Sequence, residues 1–225
     1  MSILLVSATR LEIEPILKNI SNLQTTTPFL WQGSYSKHQI TGLITGIGTV
    51  NTALHLAPLL ANNSYQVAIQ VGIAGSYLKE HTLGTVVEVI QETYADLGAE
   101  NNDGSFLSLK ELGFSNFVDK KQSTYYNTLH NPQPSFLNLV KVKSNTVHLC
   151  SGTWETIRKR LSACSADIEN MEGAAFFQAC ILYEQPFYAF RAISNYVAPR
   201  NFTQWNIPLA VKNLSEQVLN FLKNL

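Results

Sequence analysis

Charged side chains are scarce in this chain. They make up 14% of its 225 residues, against about 25% in an average soluble domain. The 16 basic residues balance the 16 acidic ones, so the formal net charge is zero. A protein that binds nucleic acid or an anionic membrane surface needs a basic excess. We therefore expect neither nucleic acid nor a membrane as a partner.

Cysteine and histidine are also few. The three cysteines, at positions 150, 164 and 180, form no CxxC pair, so we expect neither a disulfide framework nor a zinc knuckle. The five histidines include no pair with HxxxH spacing. A metal site is therefore not expected, and no motif points to a cofactor.

Long apolar runs are missing as well. No stretch of about 18 consecutive apolar residues is present, so no transmembrane helix is predicted. The first residues lack the basic segment and the small-residue cleavage site of a signal peptide. We expect a cytoplasmic protein.

What the chain does contain is an alternation of strand and helix patterns. Apolar runs are typical of strands that are covered on both faces. A wholly apolar run occurs at 3–6, and mainly apolar runs occur at 67–71 and 187–193. Segments with helical periodicity lie between such runs, for example at 50–60 and 173–183. The order predicts one α/β domain over residues 1–225, with a mixed, mostly parallel central sheet flanked by helices.

Two further segments complete this prediction. Residues 146–150 are apolar enough to predict another strand. From about 97 to 135 the pattern weakens while aromatic residues remain frequent. A long irregular stretch in a compact domain is usually functional or disordered, so we interpret 97–135 as an excursion from the sheet.

Ligands of such sheets bind where strands end, and the first strand end carries a carboxylate. Glu12 follows the strand pattern at the start of a predicted helix. Its spacing from Thr9 fits a capping box. Its position equally fits a general base, and the spacing alone leaves both interpretations open.

Glycine motifs mark two further strand ends. Gly-Ile-Gly at 46–48 precedes a predicted helix, and Gly-Ile-Ala-Gly at 72–75 ends a predicted strand. Gly-x-Gly before a helix can bind phosphate, but neither the dinucleotide fingerprint nor a P-loop is complete. Tight turns between strand and helix are the alternative interpretation. At Gly75 a flat ring could approach the backbone closely.

The third candidate lies at the start of the predicted helix 173–183. Glu172 there suits the positive end of the helix dipole. It could also accept hydrogen bonds from both hydroxyls of a ribose, while the flexible Met171 packs against a sugar or a ring.

The fourth candidate follows the strand pattern at 187–193. Arg191, Ser194 and Asn195 are polar residues at the end of a buried strand, which is typical of site residues. A simple turn is the alternative.

These motifs, in this order, resemble the nucleoside phosphorylase and nucleosidase superfamily. The resemblance spans essentially the whole chain. Its most specific part is Met-Glu-Gly-Ala-Ala at 171–175 followed by Arg-Ala-Ile-Ser at 191–194. Within the superfamily, residues 94–100 and 194–200, with Trp205 nearby, are similar to the futalosine hydrolases. That family cleaves hypoxanthine from futalosine in an alternative route to menaquinone.

The resemblance implies a role for each candidate residue. Glu12 would orient and deprotonate the attacking water, and Glu172 would bind the ribose hydroxyls and stabilise the cationic sugar. Met171 would pack against sugar and base. Arg191 would lie beneath Glu172 and fix its direction through a charge-assisted bond. The floor of the base pocket would be formed by Ala74, Gly75 and Ser194.

Asn195 is where the chain departs from the related methylthioadenosine nucleosidases, which carry aspartate there as a proton donor to adenine. An amide donates one hydrogen bond and accepts another, which suits a 6-oxopurine such as hypoxanthine. The resemblance therefore implies an enzyme that hydrolyses the N-ribosidic bond of futalosine.

Three alternatives stay open: a methylthioadenosine/adenosylhomocysteine nucleosidase, a purine nucleoside phosphorylase, and a purine-binding protein without activity. The resemblance also implies a homodimer or a higher homo-oligomer. The residues that hold the aromatic acid of futalosine are not identified, with Arg200, Trp205 and the segment 97–135 as candidates.

Overall fold

The structure is a computed structural model, and it describes residues 1–109, 111–114, 124–129 and 138–225. Its helices are α1 (Arg10–Leu17), α2 (Thr49–Asn62), α3 (Trp154–Ala163), α4 (Gly173–Leu182) and α5 (Ile207–Asn224). Its strands are β1 (Ser2–Ser7), β2 (Ser21–Thr27), β3 (Leu30–Tyr35), β4 (His38–Ile44), β5 (Val67–Ser76), β6 (Val86–Tyr94), β7 (Gly98–Glu100), β8 (Phe106–Ser108), β9 (Thr124–Tyr126), β10 (Val140–Thr146), β11 (Ile168–Asn170) and β12 (Phe187–Tyr196).

One mixed sheet organises the described residues. Its strand order is β11-β10-β6-β12-β5-β1-β4-β3-β2, and β9 pairs with β6. The pairings β12–β5, β5–β1 and β1–β4 at its centre are parallel, whereas β12–β6 and the hairpin β2–β3 are antiparallel. The prediction of an α/β fold with a mixed central sheet is confirmed.

Five strands of this sheet close into a ring. β11 pairs in parallel with β10 and also in antiparallel with β5. The closed path β5-β12-β6-β10-β11 therefore surrounds its own interior. The carboxyl ends of several parallel strands meet at one rim, which is where the candidate residues lie.

The helices cover the sheet from two sides: α1 and α5 each bury one apolar face, whereas α4 is apolar nearly all round and mostly buried. α1 and α5 pack on one side through residues such as Ile13, Ile16 and Phe221. α2 and α4 pack on the other through residues such as Leu56 and Phe176. No helix of the described segments is long and apolar enough to span a bilayer.

Two strands run further than predicted, and one lies elsewhere. Gly-Ile-Ala-Gly at 72–75 belongs to β5 and is not a turn, because β12 pairs along it as far as Ser76. β12 in turn includes Asn195, after a register shift between Ile193 and Asn195. The prediction of a strand at 146–150 is wrong. β10 ends at Thr146, and only two of its seven residues are apolar, so a search for apolar runs does not find it.

The excursion at about 97–135 holds short strands in its described parts. β7 and β8 form a two-stranded hairpin, and β9 adds to the edge of β6. Residue 110 and residues 115–123 and 130–137 lie outside the described residues, so the boundaries of the excursion stay a prediction.

Candidate active site

Glu12 lies in the first turn of α1 with 6% of its surface exposed. Its Oε2 accepts hydrogen bonds from Thr9 N (2.9 Å), Thr9 Oγ1 (2.6 Å) and Ser7 Oγ (3.3 Å). Its Oε1 accepts one from Ile73 N (3.0 Å) in β5. The carboxylate therefore caps its own helix and also joins β1 to β5.

Glu172 is the N-cap residue of α4 and is 9% exposed. Its Oε1 accepts a hydrogen bond from Gly48 N (2.9 Å). Gly48 has a φ of 90°, which favours glycine, and it begins α2. The Gly-Ile-Gly motif thus directs a backbone N–H at a carboxylate of the chain itself.

The start of α2 has a further anchor that the sequence does not signal. Thr49 Oγ1 lies 2.8 Å from His148 Nε2, and His148 Nδ1 lies 2.9 Å from Asp96 Oδ1. The loops after β6 and β10 are thereby tied to the helix that presents Gly48.

Burial raises the pKa of Glu172 above its usual value, because desolvation disfavours the charged form. The hydrogen bond from Gly48 and the positive charge of Arg191 lower it, while the negative charge of Glu12 raises it further. Burial and the charge of Glu12 therefore disfavour ionisation of Glu172, while Gly48 and Arg191 favour it.

Arg191 is buried, with 1% of its surface exposed. Nη2 donates to Gln70 Oε1 (2.7 Å) and Nη1 to Phe190 O (3.2 Å), while Nε has no partner among the described residues. The prediction of a direct bond from Arg191 to Glu172 is wrong. Since β5 supplies Gln70 as a nearer acceptor, Arg191 acts on Glu172 only through its charge.

The remaining candidates meet where β5 and β12 run side by side. Ser194 Oγ lies 2.8 Å from Asn195 Oδ1 and 3.3 Å from Ala74 O. Asn195 Nδ2 donates to Tyr196 O (3.2 Å). A Cβ at Gly75 would come within 3.0 Å of Asn195 Nδ2, so the absent side chain leaves room for the amide. Their roles in binding a base stay predictions.

A pocket opens beside this group. Its lining includes Gly75, Asn195, Glu169, Arg200 and Trp205. Arg200 lies over the rings of Phe202 (4.6 Å) and Trp205 (5.9 Å). The pocket thus joins the predicted base contacts to polar and aromatic groups of the segment after β12.

Two other observations complete the site. Met171 is half-buried and precedes Glu172 directly in the chain. Among the described residues, no group of three or more His, Cys, Asp or Glu side chains is arranged to hold a metal ion.

Comparison with known proteins decides the family. The model of the family described as "Phosphorylase superfamily" matches residues 2–223. This chain belongs to the phosphorylase superfamily. The predicted membership is confirmed.

Two curated relatives span nearly the whole of this superfamily member. A futalosine hydrolase from Thermus thermophilus is 32% identical over 97% of this chain and 94% of its own length. A 5′-methylthioadenosine/S-adenosylhomocysteine nucleosidase from Haemophilus influenzae is 28% identical over the full length of both chains. The predicted resemblance to futalosine hydrolases and the predicted enzyme class, an N-glycosyl hydrolase, are confirmed.

A solved structure agrees with the fold. The S-adenosylhomocysteine nucleosidase of Streptococcus pyogenes, in complex with 5-methylthiotubericidin, superposes with a TM-score of 0.82 at 24% identity. The match covers 100% of this superfamily member and 97% of that chain.

Proposed function

We propose that this enzyme hydrolyses the N-ribosidic bond of futalosine, releasing hypoxanthine and dehypoxanthine futalosine for menaquinone synthesis. The observation that carries the proposal is the amide of Asn195 beside the pocket, where an acidic side chain would suit adenine better. The relative from Thermus thermophilus supports the same substrate.

The sugar end of the reaction depends on Glu172. Cleavage of an N-ribosidic bond builds positive charge on the ribose, and a desolvated carboxylate stabilises that charge strongly. Gly48 N donates to Oε1 of Glu172 (2.9 Å), and a backbone hydrogen bond from Met171 also favours the charged carboxylate. A carboxylate has about four acceptor sites, so capacity remains for the ribose hydroxyls.

The water would be activated by Glu12. Three donors surround its Oε2, but within the described part of the chain Oε1 accepts from Ile73 N alone. Oε1 consequently has a lone pair available for the proton of an attacking water. The hydrogen bonds on Oε2 fix the direction in which that lone pair points.

The leaving base would be read by Asn195. Because Ser194 Oγ holds Asn195 Oδ1, the amide nitrogen is directed away from Ser194. One of its two hydrogens faces Tyr196 O, and the other can donate to N7 or O6 of a 6-oxopurine as negative charge develops there.

Phosphorolysis is the less favoured chemistry. A phosphate nucleophile needs several cationic or N–H donors. The N–H groups of Thr9 and Ile73 already bind Glu12. The nearby Arg10 is exposed and pairs with Glu14 (2.7 Å) on the outside of α1.

A second copy of the chain is part of the proposal. Ile47, Val50 and Leu54 expose 56%, 66% and 65% of their surfaces beside Gly48. Apolar side chains grouped in this way are typical of an interface. We expect a homodimer that covers this face, and sedimentation of the purified chain at micromolar concentration measures it.

The direct test of the proposed function is incubation with futalosine, inosine, methylthioadenosine and adenosylhomocysteine, with and without phosphate. Release of hypoxanthine from futalosine, independent of phosphate, is the expected result. Faster release of adenine from methylthioadenosine would support the alternative nucleosidase instead. Formation of ribose 1-phosphate from inosine would indicate a phosphorylase.

Asn195→Asp tests the residue that carries the choice of base. The variant should lose activity on the oxopurine substrate and shift its preference towards adenine, with an optimum at lower pH, because only a protonated carboxyl donates. The measurement is kcat/KM on matched inosine-type and adenosine-type substrates between pH 5 and 8. An unchanged preference ratio would mean that the base is read elsewhere.

A further inference from the structure

A buried carboxylate lies beneath the active site and has no part in the roles described so far. Glu92 in β6 has no exposed surface. Its Oε2 accepts a hydrogen bond from Thr146 Oγ1 (2.7 Å), and its Oε1 accepts one from Asn170 Nδ2 (2.6 Å). Glu92 is therefore an acceptor with a donor on each oxygen.

The same two partners reach the first turn of α4. Asn170 Oδ1 accepts from Glu172 N (2.9 Å) and from Gly173 N (2.7 Å). Thr146 Oγ1 accepts from Ala174 N (2.8 Å). Three free N–H groups at the helix start are thus satisfied by the two side chains that Glu92 holds.

Gly173 shows how closely the carboxylate approaches the helix. A Cβ built at Gly173 would overlap Glu92 Oε1 and Cδ. A glycine is therefore required directly after Glu172, and the reason is the close approach of Glu92. This accounts for the glycine in the Met-Glu-Gly-Ala-Ala motif.

We propose that Glu92 is a positioning residue, whose carboxylate fixes the orientation of the Asn170 amide so that Asn170 holds the backbone of Glu172 towards the ribose. The inference rests on the proposed function for the role of Glu172.

The direction of the Asn170 amide follows from counting donors and acceptors. A carboxylate accepts hydrogen bonds only, so Asn170 must turn its NH₂ group towards Glu92. Its carbonyl then faces the N–H groups of Glu172 and Gly173. The reverse orientation would place the NH₂ group against two N–H donors, leaving buried polar groups unsatisfied at a considerable cost in free energy.

The groups around Glu92 favour the ionised form that this arrangement requires, and burial opposes it. Burial raises the pKa of Glu92 to about 7, while the charge of Arg191 and the hydrogen bonds from Thr146, Asn170 and Ser144 oppose the rise. Asn170 Nδ2 also lies 2.7 Å from Ser144 Oγ, which adds a second acceptor for the NH₂ group.

The test exchanges the carboxylate at position 92 with the amide at position 170. Glu92→Gln alone turns an NH₂ group either towards the NH₂ group of Asn170 or towards the hydroxyl of Thr146, which then loses the acceptor for its proton. Asn170→Asp alone sets a second carboxylate against Glu92. The double variant Glu92→Gln/Asn170→Asp restores every donor to an acceptor and keeps one negative charge. Each single variant should lower kcat/KM by about 10-fold to 100-fold, and the double variant should recover most of that loss.

The second readout is the preference for ribose over 2′-deoxyribose substrates. A general loss of stability would not change this preference. The single variants should lose rate mainly on the ribose substrate, because only that substrate uses the full contact with Glu172. Glu88→Gln is the matched control: Glu88 lies in the same strand, has no exposed surface and has a pKa raised by burial to about 7, but no described group bonds to its oxygens. It should leave the preference unchanged.

Hydrogen exchange of the Glu172 and Gly173 amides separates this inference from the proposed function. Faster exchange in the single variants and restored protection in the double variant are expected, whatever substrate the enzyme cleaves. Unchanged exchange and an unchanged ribose preference in Glu92→Gln would overturn the positioning role. Failure of the wild type to cleave any nucleoside would overturn only the proposed function, and the exchange measurement would still decide the inference.

Discussion

The two carboxylates of the site are buried to a similar degree but are held in different ways. Glu12 accepts four hydrogen bonds, spread over both oxygens and over groups from β1, α1 and β5. Among the described residues, Glu172 accepts fewer, from Gly48 N (2.9 Å) and from the backbone of Met171. A buried charge stabilises the fold only when its hydrogen bonds are satisfied, so Glu12 contributes to folding while Glu172 opposes it.

The difference in the number of hydrogen-bond donors suits the two carboxylates to different roles. The surplus of donors at Glu12 fixes the direction of one free lone pair, which suits proton transfer to or from a single water. The shortage of donors at Glu172 leaves a charge that a cationic, hydroxyl-bearing sugar could satisfy. An active-site group is often kept in an environment that costs stability, because that environment strengthens its electrostatic effect.

The largest effect is expected from removing the poorly satisfied carboxylate. Glu172→Ala should reduce kcat by about 10³-fold, since the charge opposite the developing cation is lost. Glu172→Gln should cost less, because its oxygen still accepts from Gly48 and its amide still reaches the hydroxyls. Steady-state kinetics on the cleaved nucleoside, beside circular dichroism of each variant, measure this. Equal rates for both variants would remove the assigned role.

Glu12→Gln should give the next largest effect, a fall in kcat of about 10²-fold, because the amide is not a base. It should also lower the free energy of unfolding by about 1 kcal/mol, since its NH₂ group meets the donors of Thr9 and Ser7. Arg10→Gln, on the exposed side of the same helix, is the control and should change neither quantity. A normal kcat with a lowered Tm would leave Glu12 as a helix cap only.

The sequence predicts a hydrogen bond of Glu12 or Glu172 only when its partner lies close to it along the chain. The contact of Glu12 with Thr9 lies within one helical turn, so its spacing predicts the cap. The contact with Ile73 joins residues 61 positions apart and follows only from the parallel pairing of β1 with β5. The contact with Thr9 corresponds to the helix-cap interpretation, whereas the role of Glu12 as a general base stays a prediction.

The anchor of Glu172 shows the limit more clearly. Gly-Ile-Gly before a helix is typical of phosphate binding, and the motif does present an N–H, but the anion is a side chain 124 residues away. Glu92 gives no signal at all, since a single acid inside a strand looks like any surface residue. Motif order was sufficient to predict the family and the fold. The hydrogen bonds that distinguish Glu12 from Glu172 depend on strand register, which the order of the motifs does not give.

The pH dependence of activity should reflect the ionisation of Glu172, the carboxylate with fewer hydrogen-bond donors. Burial and the neighbouring charge of Glu12 raise the pKa of Glu172, so its ionised form is lost at a higher pH than for an ordinary carboxyl. Activity should fall as pH falls towards that raised pKa, and protonation of Glu92, whose pKa is about 7, would act in the same direction. A log kcat profile between pH 4.5 and 9 measures the acid limb. A limb confined to the range of an exposed carboxyl would contradict this account.

The smallest expected effect is on the thermal stability of the Glu172 and Glu12 variants. Because the folded state raises the pKa of Glu172, its ionisation weakens folding progressively as pH rises from the unfolded pKa through the folded one. Glu172→Gln removes that charge but keeps an acceptor for Gly48, so its Tm should exceed that of the wild type at pH 8. The difference should vanish near pH 4, where the wild-type carboxyl is protonated in both states. Glu12→Gln should shift Tm in the opposite direction at pH 8, since the charge it removes accepts four hydrogen bonds. Thermal unfolding of both variants at the two pH values, without ligand, tests the comparison. Two shifts of the same sign at pH 8 would mean that hydrogen-bond satisfaction does not distinguish the two carboxylates.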